Sequence, residues 1–100
     1  MKLNDIGDAL YSVRERFDID GIDLMMLSDF SRMQAQGDEA TIMAFIGEFV
    51  GTSQATTHAR IKKLCDKNIL KKADMEGNLR YKTLEKGSEF DKLVKILEKL

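Results

Sequence analysis

The chain has no proline, one cysteine, one histidine and seven glycines in 100 residues. A single cysteine excludes a disulfide framework and cannot make a thiolate metal site alone. The one histidine, His58, stands far in sequence from any cluster of carboxylates. Little is left for nucleophilic or acid–base chemistry, so neither an enzyme nor a bound cofactor is expected. No apolar run approaches the ~18 residues of a membrane span, and the N-terminus lacks the pattern of a secretory signal. A cytoplasmic, reducing setting without membrane attachment is the expectation. The missing prolines and few glycines favour a helix-rich chain with few sharp turns. With 43% apolar and 33% charged residues, the chain has enough apolar surface to fold without staples. One domain spanning 1–100 is expected.

Charge is nearly balanced overall and unbalanced along the chain. Residues 1–50 hold four basic and ten acidic side chains, whereas 51–100 hold twelve basic and seven acidic. Within 53–72 the basic residues are Arg60, Lys62, Lys63, Lys67, Lys71 and Lys72, against Asp66 alone. An isoelectric point near 5.8 argues against a polyanionic partner only on average. A polyanion meets a local patch, and this segment is basic. The bland alternative is a solvated helix face, which most charge runs are.

Apolar spacing divides the chain into elements. Ile6, Ala9, Leu10, Val13 and Phe17 recur with helical period over 4–17. The break at Asp18-Ile19-Asp20-Gly21 is followed by a second helix expected from about Asp23 to Gln36. Leu24, Met25, Met26, Leu27, Phe30 and Met33 wrap much of its circumference. Met25, Met26, Met33 and Met43 are expected as core filler. Asp38 is a candidate cap for a third helix over about 41–49. A tight turn at Val50-Gly51-Thr52 then leads to a fourth helix over 53–67, capped by Thr52 or Ser53, with Thr57, Ile61, Leu64 and Cys65 inward. Asn68 falls where a helix wants a left-handed residue. Thus 41–68 reads as a helix-turn-helix. Residues 69–73 and 79–83 read as the strands of a hairpin within 69–83. A last helix over 89–100, with Ser88 and Asp91 in a capping-box arrangement, carries Phe90, Leu93, Val94, Leu97 and Leu100. The fold class is mainly α with a small β-hairpin (α+β).

Helix, helix, helix-turn-helix, hairpin, helix is the order of a winged helix-turn-helix domain. The segment from Gly51 to Leu70 resembles the recognition-helix region of the MarR-type winged-helix transcriptional regulators. Ser53 matches the family's capping serine, Thr56 its recurrent threonine, Leu64 its last core leucine, and Asn68-Ile69-Leu70 its exit. Glu85-Lys86-Gly87 matches the end of the signature that follows the wing. Thr83-Leu84 reverses the usual order there, and the wing lacks the family's Asp-x-Arg pattern. The resemblance implies a winged helix-turn-helix protein that binds DNA and regulates transcription.

If Thr57, Ile61 and Leu64 face the core, then Gln54, Ala55, His58, Ala59 and Lys62 face outward. Gln54 suits adenine, His58 a base edge, and the two alanines permit close approach in the major groove. Ser53, Thr56, Arg60, Lys62 and Lys63 are candidates for backbone phosphates, joined by Asn78, Arg80 and Lys82 on the wing. For Arg80 and Lys82, protection of an edge strand is an equal reading. Cys65 reads as a small buried hydrophobe. Asp18, Asp20 and Asp23 lack the full spacing of a calcium loop and are given no metal. The expected partners are double-stranded DNA and a second copy of the chain, a homodimer through the apolar stripes of 4–17 and 89–100. The alternative for the stripes is that they pack on each other within one chain. The alternative function is a winged-helix protein–protein interaction module in a transcription or replication assembly, with the acidic N-terminal half as its docking surface.

Overall fold

Apolar side chains at helical spacing form a continuous core when seven elements close on one another. The computed structural model describes residues 2–37, 41–75 and 78–98, and the side chains of 75–81 lie outside that description. The elements are α1 (Leu3–Phe17), α2 (Gly21–Ala35), α3 (Ile42–Glu48), α4 (Gln54–Asp66), β1 (Leu70–Met75), β2 (Asn78–Lys86) and α5 (Phe90–Glu98). The strands pair as one antiparallel two-stranded sheet, running from Leu70 opposite Lys86 to Asp74 opposite Lys82. The mainly helical α+β class expected from the sequence is thus present. No helix among the described residues is long and apolar enough to cross a membrane.

The core centres on Phe30, Phe45, Met26, Ile61, Leu64, Ile69, Leu93 and Val13, each less than 2% exposed or close to it. Burying a side chain of this kind stabilises the fold by about 1.5–3 kcal/mol. Phe30 meets Phe90 edge to face at 5.8 Å, which ties α2 to α5. Phe45 and Phe49 stack at 5.9 Å at the end of α3. A Cβ at Gly51 would overlap the Phe49 ring, so any other residue in the turn into α4 makes that ring shift.

Local signals set the helix ends. The Ser53 hydroxyl accepts the Thr56 N–H and caps α4, as expected. Asn68 takes φ 60° just beyond α4, where a left-handed residue closes the helix. The Ile69 N–H then donates to the Leu64 carbonyl. Thr41 caps α3 through the Ala44 N–H, while Asp38 lies outside the described residues. Thr41 also bridges to Thr83, which fastens β2 beside the start of α3. A methyl group at Gly87 would overlap the Asn68 carbonyl. That glycine lets the end of β2 lie against the exit of α4, its N–H donating to the Ile69 carbonyl.

Five expectations are corrected. First, α2 begins at Gly21, two residues before the expected Asp23, because Asp20 and Asp23 form a reciprocal capping box. Second, β2 continues to Lys86, beyond the expected end at Thr83. Third, α5 begins at Phe90, and no hydrogen bond between Ser88 and Asp91 is among those described. Fourth, Met25 and Met43 are 52% and 71% exposed and do not fill the core, unlike Met26. Apolar residues surround most of α2, so period alone does not choose which of them face inward. Fifth, α1 packs against α5 inside one chain. Val13 and Leu93 are buried there, and Phe17, Val94, Ile96 and Leu97 pack beside them. Much of the two stripes is packed within the chain, which reduces the surplus apolar surface that suggested a dimer through these helices, although Leu10 of the α1 stripe stays 44% exposed. Leu3, Leu10 and Tyr11 of α1 remain exposed; Leu100 lies outside the described residues.

Candidate nucleic-acid interface

The site is built on α4, and a single buried stripe orients that helix. Thr57, Ile61 and Leu64 are each no more than 1% exposed and face the core, as expected. The Thr57 hydroxyl donates to the Ser53 carbonyl at 2.9 Å, so its burial leaves no unpaired oxygen. At about 100° per residue, Ala55 and Ala59 then lie opposite the core. Gln54, His58 and Lys62 run down one flank, and Thr56, Arg60, Lys63 and Lys67 down the other. Gln54, Ala55, His58, Ala59 and Lys62 are all exposed, so the expected outward face exists. Two alanines at its centre leave the backbone accessible to a groove-sized partner.

The flank holding Arg60 and Lys63 differs from its expected role. Asp23, in the first turn of α2, is wholly buried. One of its oxygens accepts from Arg60 Nη1 at 3.1 Å, and the other from Lys63 Nζ at 2.8 Å and from the Asp20 N–H at 3.2 Å. Asp20 Oδ1 accepts from Arg60 Nη1 at 2.7 Å and from the Asp23 N–H at 3.1 Å. Two carboxylates, a guanidinium and an ammonium therefore close a neutral network between α2 and α4. A buried carboxylate needs such partners, because its desolvation is otherwise costly. The Arg60 hydrogen bond holds the Asp20 carboxyl below its ordinary range, against the opposing effect of partial burial. The Arg60 Nε–H is buried with no partner among the described residues. Lys67 completes this flank, 3.5 Å from Asp18 at the end of α1.

The expected phosphate contacts thus divide. Arg60 and Lys63 are committed to acidic partners within the chain, and the Ser53 and Thr56 hydroxyls bond to each other at 2.9 Å while serving the cap. Lys62 is exposed, and no ion pair among those described includes it. On the hairpin, Lys82 pairs with Asp74 on the opposite strand, which fits protection of an edge. Asn78 and Arg80 belong to β2, and their side chains lie outside the described residues, as does Gly77 at the expected wing tip. Cys65 is half-buried, and that burial pushes its thiol pKa up.

Sequence reasoning missed the partners of Arg60 and Lys63. The Asp20-x-x-Asp23 spacing is itself a capping-box signal, and it places a carboxylate in the first turn of α2. No family model, curated protein or solved structure matches this chain.

Proposed function

We propose that this protein binds double-stranded DNA as a winged helix-turn-helix transcriptional regulator, with α4 in the major groove and the β1–β2 hairpin beside the adjacent backbone. The observation that carries this reading is the outward face of α4. It offers two small residues flanked by Gln54, His58 and Lys62, on a helix anchored by a fully buried stripe. A groove-reading helix needs that combination: close approach at its centre and hydrogen-bonding side chains at its edge. Gln54 pairs with adenine N6 and N7, and His58 meets a neighbouring base edge. Lys62 contributes a phosphate contact, which positions the helix without carrying sequence information.

Homodimerisation belongs to the same proposal, with Leu3, Leu10 and Tyr11 as the apolar side chains left on α1 to support it. Its test is the mass in solution: a monomer at tens of micromolar without DNA removes it. DNA binding is tested with mixed-sequence duplex across a salt series. The proposal expects log affinity to fall linearly with log salt, because each phosphate contact releases counterions. No binding, or binding indifferent to salt, overturns it.

A further inference from the structure

Four lysines that take part in none of the described ion pairs gather on one side of α4. An open depression of about 620 Å³ lies between the C-terminal half of α4, β1 and the junction of β2 with α5. Lys62, Lys71, Lys72 and Lys86 line it, with Asp66 as the one carboxylate among the lining residues. All four lysines are exposed, and no ion pair among those described uses any of them. Arg60, Lys63, Lys67 and Lys82, by contrast, all have carboxylate partners. Glu85 stands across the strand pair from Lys71 but outside the lining. The Lys86 ammonium sits 5.1 Å from the centre of the Phe90 ring, which fixes it at the base of the hairpin.

Resting on the DNA-binding reading above, we propose that this depression carries one strand of the DNA backbone where it leaves the groove occupied by α4. Lys62 belongs both to the depression and to the exposed flank that continues through His58 to Gln54, so the two surfaces are continuous. Four lysines bordering an open hollow with one carboxylate match a string of phosphates. A single small anion would instead need convergent donors. The backbone track therefore runs over the β1 side of α4, and the α2 side lies off the DNA. Lys71, Lys72 and Lys86 become phosphate contacts alongside Lys62.

The test measures binding of the full chain to a mixed-sequence 20-base-pair duplex by fluorescence anisotropy across a salt series. The Lys71→Gln/Lys72→Gln double variant is compared with a charge-matched Lys92→Gln/Lys95→Gln variant on α5. The first is expected to weaken binding to all sequences alike and to make the salt slope shallower by about two units, at roughly 0.9 per phosphate. The second leaves the slope unchanged, and Lys71→Arg/Lys72→Arg restores that of the wild type. If the two glutamine variants bind alike, or if the Lys71→Gln/Lys72→Gln slope equals that of the wild type, the track is wrong while DNA binding stands. A wild type that binds no duplex overturns both.

Discussion

The two sides of α4 are bordered by similar numbers of cations and differ in how many of them have carboxylate partners. On the side facing α2, Arg60, Lys63 and Lys67 meet Asp20, Asp23 and Asp18. On the side facing β1, Lys62 joins Lys71, Lys72 and Lys86 around a hollow with a single carboxylate. One flank holds the helix in place, and the other is available to a polyanion. A count of basic residues over 53–72 therefore overstates the charge that a polyanion can meet. What matters is how many of those cations the fold has already neutralised.

The comparison breaks most severely at Asp23. Asp23→Ala leaves Arg60 and Lys63 without their buried partner and removes half of the capping box. Removing one member of a buried ion pair costs about 3–5 kcal/mol, and the lower end applies here because both cations reach solvent. Urea unfolding should show a loss of about 3 kcal/mol; a loss under 1 kcal/mol would mean that the network does not hold α4. On the opposite flank, Gln54→Ala and His58→Ala should leave stability nearly unchanged. Each should cost about 1–3 kcal/mol on a preferred DNA site and relax the preference at one base pair. Selection from random duplexes reads this directly: equal losses on all sequences would remove base readout by these side chains.

A pH series sharpens the same contrast. The Asp20 carboxyl is held below its ordinary value by Arg60, so its folded-state pKa lies under its unfolded one. Its contribution to stability is complete above the unfolded value of about 3.9 and disappears as pH falls through the folded value. Asp20→Asn should therefore flatten the acid side of the stability curve below about pH 4 and change little of its shape at neutral pH. Thermal unfolding between pH 2 and 7 checks this. An acid limb as steep as that of the wild type would assign the dependence to other carboxylates.

Much of the architecture is legible in local sequence because local physics produces it. The inward stripe of α4 follows from a 3.6-residue period, and the left-handed Asn68 follows from what a helix end demands. The hairpin is legible from its alternating residues, although β2 runs on to Lys86. What stays hidden depends on contacts between distant segments. Asp23 lies 37 residues from Arg60 and 40 from Lys63, and no local pattern joins them. The same holds for the stripes of α1 and α5, which suit each other as well as they would suit a second chain. Met25 and Met26 are neighbours of one residue type, yet Met25 is half exposed and Met26 is buried, a choice made by packing around α2.

Lys62 and Lys63 are neighbours in opposite settings, and the decisive measurement compares the salt dependence of duplex binding for Lys62→Gln and Lys63→Gln. Lys62 is exposed on the β1 side, whereas the Lys63 ammonium lies 2.8 Å from the buried Asp23. Lys62→Gln should make the slope shallower by about one unit, the signature of one lost phosphate contact. Lys63→Gln should lower folding stability and leave the slope of the folded protein at the wild-type value. A slope that falls as much for Lys63→Gln as for Lys62→Gln would contradict the division of α4 into an anchoring flank and a DNA-facing one.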